Sequence, residues 1–350
     1  MKKYVIDTRE KQEFTAGSKA RNDINEILER KGYDKKYIYI NSKKSKIFMF
    51  RDIFTTYKDL KRIVEQLENN SELIIQFPWD SLAYKYAKYI KKMSKRKSIK
   101  TIVIIHDINS LRSSDKFGLL YFKYLIREID FLNCFDYIIC HNDKMKKYLV
   151  NNGISDKKII SLGIFDYLVD FKNKVDVNGN FKCVNIAGNL LINKSKYIYC
   201  LDQLKSEYYN FELFGINYTG KNDKFLKYNG SFDPTKLIKK VNTGFGLVWD
   251  GASIDKCDGN WGEYLKWNNP HKFSLYMACG IPVFVWKKSA LATFVKQNEV
   301  GIVINSLKEI ENIFKNMTKK DYIKYVKNVE KIQKRVIEGQ FLNDAIEKCR

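Results

Sequence analysis

The sequence has 350 residues, of which 45% are hydrophobic, and a chain of this length usually divides into more than one hydrophobic core, so we expect two domains. No stretch approaches the roughly 20 apolar residues of a membrane-spanning helix, so we predict a cytoplasmic protein. The seven cysteines form no CxxC pair, which argues against a zinc cluster. The formal net charge of +23 fits an anionic partner such as nucleic acid, a lipid surface or a phosphate-bearing substrate, unless it only makes solvated faces basic.

Short apolar runs alternate with segments of helical length in the first half of the sequence. The predicted strands are 4–7, 37–40, 47–50, 73–77, 101–106 and 136–140, and the predicted helices are 18–31, 53–68, 80–93 and 117–131. Continuous apolar strands separated by helices are typical of a parallel sheet that is covered on both faces. Residues 1–168 are therefore predicted to form a Rossmann-like domain.

Two loops of this first domain follow predicted strands. Phe14 to Lys19 form a small-residue turn into the first helix, and His106 and Asp107 end the strand that begins at Thr101. A histidine and a carboxylate at the carboxyl end of a strand favour general-base chemistry, and we predict Asp107 as the base. A buried histidine followed by a capping aspartate is the alternative. At His141–Asp143 we favour a helix cap.

A polar, turn-prone linker, 169–182, precedes a second alternation of strands and helices. Its predicted strands are 183–187, 211–215, 245–249, 281–286 and 301–304, and its predicted helices are 193–206, 234–241, 271–279, 288–297 and 306–316. Residues 183–318 are thus predicted to form a second Rossmann-like domain. Residues 319–350 are expected to form one long amphipathic helix that packs back toward the first domain.

The segment 268–283 carries the most specific signal. Asn269 is predicted to cap a helix, Pro270 to occupy its first position and Gly280 to end it in a left-handed conformation. The amino end of such a helix binds anions, and His271 and Lys272 would add donors in the same turn. The alternative is an ordinary connection whose two basic side chains face water.

Weaker signals lie at the ends of two other predicted strands. Ala187–Leu190 follow a strand and precede Lys194 and Lys196, so the backbone there could approach a phosphate. Trp249–Gly251 precede a loop rich in glycine and tryptophan, 259–265, that would suit sugar or base stacking. The sequence contains no Walker A motif, no HExxH and no D-x-D in a suitable loop, so a metal-bound diphosphate is not expected.

As a set, these motifs resemble the bacterial glucosyltransferase 3-like and β-1,6-galactofuranosyltransferase-like family, whose members glycosylate serine-rich adhesins and surface polysaccharides. The resemblance covers nearly the whole chain, and its carriers are Ala16–Ala20, Gln76–Pro78, His106–Asp107 with Arg112, Ala187–Leu190, Gly230–Phe232, and Tyr264–Leu265 leading to Asn269–Lys272. It implies an α/β fold of the GT-B type, with two doubly wound domains facing across a cleft. It also implies a UDP-sugar donor, no metal or other cofactor, and a homo-oligomer.

The family's site residues can be carried over by matching motifs. The UDP-sugar site would contain Gly188, Asn189, Lys196, Gly230, Ser231, Tyr264, Asn269, His271 and Lys272. The acceptor site would contain Gly17, Ser18, Pro78, His106 and Arg112, around the predicted base Asp107. The sequence departs from the family's pattern at Gly230–Phe232, where a Gly-Pro or Gly-Ala pair is commoner, which leaves the donor sugar open.

We therefore predict a hexosyltransferase that moves glucose, galactose or galactofuranose from a UDP-sugar to a glycan acceptor on a glycoprotein or polysaccharide. Two alternatives remain at this stage: a basic nucleic-acid-binding protein and a non-catalytic, transferase-like partner subunit. Nucleic-acid binding would need clustered cations with interleaved aromatics. The nearest such segment, Tyr84–Lys100, is explained equally well by peripheral contact with an anionic membrane, so we expect no nucleic acid.

Overall fold

A computed structural model describes residues 1–10, 16–40, 46–78, 83–112 and 118–350, except for the side chains at 9–10, 16–18, 39–40, 46–55, 83–85 and 120. The chain divides into two compact units. The first unit comprises Met1–Gly163 and Leu342–Arg350, and the second comprises Ile164–Phe341.

The first unit contains a six-stranded parallel sheet. Its strands are β1 (Lys3–Glu10), β2 (Asp34–Ile40), β3 (Glu72–Phe77), β4 (Lys100–Ile105), β5 (Tyr137–Cys140) and β6 (Ile159–Ser161), in the order β2-β1-β3-β4-β5-β6. Its helices are α1 (Ala16–Arg30), α2 (Lys46–Gln66), α3 (Ala83–Lys97), α4 (Asn109–Arg112), α5 (Leu119–Leu132) and α6 (Asp143–Asn151), with a 3-10 turn at Asp156–Lys158. The direction in which strands are added reverses between β1 and β3, a position where open α/β sheets commonly bind ligands.

The strands form where the sequence has continuous apolar runs. Every residue of β3 is buried, as are all residues of β4 except Lys100, as expected for strands covered on both faces. The strand predicted at 47–50 is wrong, because these residues lie in the long helix α2. Four consecutive apolar residues fit either a strand or one side of a helix, and the run is too short to decide between them.

The second unit repeats this architecture with a different strand order. Its strands are β7 (Cys183–Asn189), β8 (Asn210–Ile216), β9 (Leu226–Tyr228), β10 (Phe245–Val248), β11 (Val283–Trp286) and β12 (Gly301–Ile304), all parallel, in the order β12-β11-β10-β7-β8-β9. The order reverses between β7 and β10, as in dinucleotide-binding folds.

The helices of the second half are α7 (Pro234–Lys240), α8 (Gly259–Tyr264), α9 (His271–Cys279), α10 (Leu291–Asn298), α11 (Glu309–Asn316), α12 (Lys319–Ile337) and α13 (Gln340–Glu347), with a 3-10 helix at Lys196–Leu204. The segment 259–265, which we predicted as a loop, is mostly the short helix α8. The predicted α/β class is confirmed in both units. None of the helices among the described residues is long and apolar enough to cross a membrane.

The core of the second unit is rich in aromatic side chains. Phe245 on β10 contacts Phe284 on β11, Phe314 on α11 and Tyr322 on α12, with ring centroids 4.7 to 5.7 Å apart. All four side chains are fully buried. Helix α12 also packs on α9, where Gln333 donates to the Ala278 carbonyl at 2.9 Å, so this core also holds the carboxyl end of α9.

The predicted C-terminal helix is interrupted. Thr318 and Asp321 form a capping box that begins α12, as the sequence pattern Thr-x-x-Asp would favour. The helix ends at Ile337, and Gly339 has a φ of +77°, a backbone conformation that an α-helix cannot include. The chain then starts α13, so 319–350 form two helices rather than one.

Candidate functional site

Glycines lie at the carboxyl ends of three neighbouring strands in the second unit. Gly188 ends β7 with a φ of +134°, and it pairs with Gly215 on β8. A Cβ on Gly215 would lie 1.7 Å from the Gly188 carbonyl oxygen, so only glycine allows this approach. Gly215 in turn donates its N–H to the carbonyl of Gly230, 2.9 Å away. The predicted residues Gly188 and Gly230 are therefore brought together, with Gly215 as a member that the motifs did not reveal.

The turn after β7 is shaped by the side chain of Asn189. Its Oδ1 accepts hydrogen bonds from the Leu191 N–H and from Asn217 Nδ2, both 3.1 Å away. Lys196 is exposed at the first position of the 3-10 helix. Ser231 is exposed beside Gly230. This edge of the sheet thus combines exposed backbone, an amide and a lysine, which are groups that suit a phosphate or sugar.

Helix α9 begins at the point where the strand order reverses, but one residue later than predicted. Pro270 has extended backbone angles and is the N-cap residue, and no side chain caps the helix. Asn269 is therefore not the cap; it is buried one position earlier. The first turn contains His271 and Lys272 and offers its amino end to an anion.

Lys272 connects α9 to the end of β10. Its Nζ donates to Asp250 Oδ1 at 2.8 Å and to the Trp249 carbonyl at 3.0 Å. The side chains of Lys272 and Asp250 are only 20% and 10% exposed. The sequence predicted Lys272 as a donor to an anion at this helix end, and the fold in addition pairs its ammonium with a carboxylate. Asp250, which we had not assigned to the site, therefore belongs to its electrostatics.

His271 is held by aromatic side chains from the start of the second unit. Its ring stacks on Tyr167 with centroids 4.9 Å apart, and Phe165 lies edge-on at 6.3 Å. The Phe165 carbonyl accepts a hydrogen bond of 2.6 Å from Ser274 Oγ on α9. Tyr264 is buried at the end of α8. These contacts fix the orientation of the helix end that carries Lys272.

At the carboxyl edge of the first sheet, Asp107 is paired with Arg112. The distance from Asp107 Oδ2 to the Arg112 guanidinium is 2.9 Å, and each side chain is about one-third exposed, 35% and 31%. The two predicted residues thus form one unit, with the carboxylate held by the arginine. Gly17 and Ser18 lie in the first turn of α1, and the side chain of Ser18 lies outside the described part of the structure.

A buried polar network lies beneath this edge, and the motifs did not reveal it. Arg21 donates to Asp7 Oδ1 at 2.7 Å and to the Pro78 carbonyl at 2.8 Å. Asn25 donates to Asp7 Oδ2 at 2.8 Å and accepts from Gln76 Nε2 at 2.7 Å. The only sequence signal for it was a polar residue within each of two apolar strands, Asp7 in β1 and Gln76 in β3.

The network ends at His106. Because Gln76 Nε2 donates to Asn25, the Gln76 Oε1 atom faces His106 Nε2, 2.7 Å away. This oxygen can only accept, so His106 carries a proton on Nε2. The chain of hydrogen bonds therefore fixes both the ring orientation and the tautomer of the residue that precedes Asp107.

His141, which directly follows β5, lies beside the backbone of Ile105 and His106 at the same edge of the sheet. The sequence favoured a helix cap here, and Asn142 Oδ1 does accept from the Met145 N–H at 3.0 Å. The cap is confirmed. His141 itself is 1% exposed, and burial lowers its pKa to about 4, although interactions with the backbone of His106 and Ile105 oppose this shift.

We expect His141 to make the fold acid-sensitive. The folded-state pKa lies below the ordinary 6.5, so on acidification the unfolded chain takes up the proton first. The contribution of neutral His141 to the free energy of unfolding is complete above pH 6.5. It falls by about 3 kcal/mol as the pH drops toward 4, since each pKa unit corresponds to about 1.36 kcal/mol. Urea unfolding of the protein and of His141→Asn at several pH values checks this. A stability difference between the two that does not change with pH would contradict it.

Comparison with known proteins places these features in a family. The N-terminal domain model of the glucosyltransferase 3-like family matches residues 2–164, and the C-terminal domain model matches residues 184–349. The β-1,6-galactofuranosyltransferase WbbI of Escherichia coli K12 is 36% identical over 80% of this chain and 79% of its own length. Glucosyltransferase 3 of Streptococcus gordonii is 26% identical over 92% and 90%.

Solved structures share the fold at low sequence identity. HepE of Anabaena, solved in complex with UDP-glucose, superposes with a TM-score of 0.64 at 10% identity, over 99% of this chain and 98% of its own. A sucrose-phosphate synthase from Thermosynechococcus elongatus gives 0.66 at 11% identity, over 99% and 98%. These similarities confirm the predicted GT-B fold. The family models confirm the resemblance drawn from the motifs, and the chain is a glycosyltransferase that belongs to the glucosyltransferase 3-like family.

Proposed function

We propose that this enzyme transfers a hexose from a UDP-sugar to a glycan acceptor on a glycoprotein or surface polysaccharide, with glucose, galactose and galactofuranose as the candidate sugars. The observation that carries the proposal is the Lys272–Asp250 pair at the start of α9, where the strand order of the second sheet reverses. The names of the relatives support a hexose, since one is a galactofuranosyltransferase and another a glucosyltransferase. The UDP-glucose complex of HepE supports UDP as the nucleotide.

In this proposal the donor diphosphate binds at the amino end of α9. Helix dipole, first-turn N–H groups and the Lys272 ammonium attract the phosphates, and the Asp250 carboxylate holds that ammonium in place. Gly188, which is exposed, and Gly230, which is half-buried, would let the backbone approach the ligand. The remaining donor-site residues are proposed as Asn189, Lys196, Ser231, Tyr264, Asn269 and His271.

The acceptor is proposed to bind at the carboxyl edge of the first sheet. Transfer requires that a proton leave the acceptor hydroxyl as the new bond to the anomeric carbon forms, and we propose Asp107 as the group that takes it. Arg112 orients the Asp107 carboxylate, and His106 is positioned beside it by Gln76. Gly17, Ser18 and Pro78 would complete the acceptor side.

A thermal-shift screen tests this function directly. A ligand that binds only the folded chain raises its melting temperature by mass action. We expect UDP and at least one of UDP-glucose, UDP-galactose and UDP-galactofuranose to raise it, with UDP-N-acetylglucosamine and ADP-glucose as comparison ligands. If all of the UDP-hexoses leave the melting temperature unchanged, the proposed donor class is wrong.

We also propose that transfer needs no metal ion. The amino end of α9 and the ammonium groups of Lys196 and Lys272 would stabilise the diphosphate without a divalent cation. Transfer measured in excess EDTA should proceed at the rate measured in buffer alone, and added Mg²⁺ or Mn²⁺ should change it less than about twofold. Activity that vanishes in EDTA and returns with a divalent cation would contradict this.

A further inference from the structure

Helix α5 of the first unit exposes an apolar stripe. Leu119, Phe122 and Ile126 are 91%, 47% and 60% exposed. Their spacing of three and four residues places them on one face of the helix, while Phe131 and Leu132 on the same helix are buried. Apart from Met1, these three are the exposed large hydrophobic side chains that the structure describes in the first unit.

Basic side chains flank this stripe. Lys123 and Arg127 each follow a stripe residue and are exposed. Helix α3 packs against α5 and contains no acidic residue. Its exposed cations are Lys88, Lys91, Lys92, Lys95 and Arg96. Lys91 Nζ lies 3.4 Å from the carbonyl of Asn133, just beyond the end of α5, so the basic surface of α3 is continuous with α5.

The two acidic residues of α5 do little to offset these charges. Glu128 is buried and accepts the backbone N–H groups of Asn109 and Ser110, at 2.5 and 3.1 Å. Asp130 is exposed on the same side of the helix, one turn beyond Ile126, and it is a single carboxylate beside the exposed cations of α3 and α5. The stripe is therefore an apolar strip within a positive surface, which is the pattern of helices that lie in the interface of an anionic bilayer.

We infer that the α5 stripe, together with the cations of α3 and α5, attaches this enzyme peripherally to an anionic lipid surface. The apolar side chains enter the boundary between headgroups and acyl chains, and the cations bind lipid phosphates. Nucleic acid would make no use of the exposed leucine and isoleucine. Pairing of the stripe with its equivalent on a second copy would bring together the two sets of basic side chains that flank it.

The attachment also bears on the acceptor. Glu128 ties α5 to α4, and α4 ends at Arg112, the partner of Asp107. The helix that carries the stripe therefore also holds the element that ends at Arg112, and, on the proposed function, this favours acceptors that are themselves anchored to the membrane. Lipid binding itself does not depend on that function.

Vesicle sedimentation tests the inference. We expect the wild-type enzyme to sediment at low salt with vesicles of phosphatidylglycerol and phosphatidylcholine, but not with phosphatidylcholine alone. At about 1 kcal/mol per basic residue, Lys123→Gln/Arg127→Gln should weaken binding about thirtyfold. Leu119→Ser/Ile126→Ser should weaken it about tenfold or more. The matched control is Lys320→Gln/Lys327→Gln, which removes two exposed lysines of α12 and should weaken binding less than about threefold.

All three variants change exposed side chains, so their melting temperatures and UDP affinities should equal those of the wild type. Failure of the wild type to sediment with anionic vesicles at low salt would overturn the inference, whatever the outcome of the UDP-sugar screen. Equal losses of vesicle binding in the α5 and α12 charge variants would show that only net charge matters, and would overturn the inference as well. A third result would also overturn the inference: the wild type is an oligomer that Leu119→Ser/Ile126→Ser converts to monomers, while vesicle binding stays intact. The stripe would then bind a second copy.

Discussion

Replacing Asp107 with asparagine is expected to lower kcat by about 10²- to 10⁴-fold, the range in which a general base contributes to catalysis. The amide keeps the shape of the carboxylate and can still accept a hydrogen bond from Arg112, which is 2.9 Å away in the wild type, but it cannot take up the acceptor's proton. Because Asp107 belongs to the first unit and the proposed UDP site to the second, UDP affinity should stay within about twofold. Single-turnover kinetics and calorimetry with UDP measure the two effects separately.

A matched variant separates catalysis from positioning. Arg112→Lys keeps a cation beside Asp107 and should retain most of the turnover rate. If Asp107 only holds Arg112 in place, Asp107→Asn and Arg112→Gln should lose the same activity, and the double variant should lose no more. Near wild-type turnover in Asp107→Asn, or joint loss of UDP binding and activity, would show that the base is another group.

The second large effect is expected from Lys272→Ala. Hydrogen bonds to charged groups contribute about 1.5 to 3 kcal/mol, so UDP affinity should fall roughly 10- to 150-fold. The loss has two parts, because the substitution removes the ammonium and also leaves the Asp250 carboxylate, only 10% exposed, unbalanced near the diphosphate. Calorimetric titration with UDP measures the sum of both.

A second substitution separates these two parts. Lys272→Ala/Asp250→Asn removes the carboxylate's charge, so it should bind UDP more tightly than Lys272→Ala and less tightly than the wild type. The control is Lys308→Ala, which breaks the exposed Lys308–Asp255 pair and should change neither affinity nor stability measurably. Unchanged UDP affinity in Lys272→Ala would remove this lysine from the donor site.

The parts of the site that the sequence predicted are local ones. Pro270 and Gly280 are residue types that favour the start and the end of a helix, and they located α9 to within one residue. Gly280 does adopt the predicted left-handed conformation, with a φ of +83°. Glycines after an apolar strand likewise predicted the turn at the end of β7. Such features depend on neighbours along the chain, which a single sequence displays.

The parts that could not be predicted depend on residues distant in sequence. Asp250 and Lys272 meet because β10 ends beside the first turn of α9, and neither segment carries a sequence pattern that predicts contact with the other. The hydrogen bonds from Asp7 through Asn25 and Gln76 to His106 join four separate elements. Short ambiguous runs failed for a different reason: at 47–50 the apolar pattern fits a strand, and only the surrounding helix α2 decides against it.

Sugar transfer itself tests the central claim most directly. Purified enzyme is incubated, in EDTA, with the UDP-hexose that raises its melting temperature most and with a panel of lipid-linked and peptide-linked glycans, and the products are read by mass spectrometry. We expect one acceptor to gain a single hexose mass with release of UDP, and the rate of product formation to fall at least about 100-fold with Asp107→Asn at equal UDP occupancy. Binding of UDP-hexose without transfer to any acceptor, or transfer at a near wild-type rate in Asp107→Asn, would contradict this proposal.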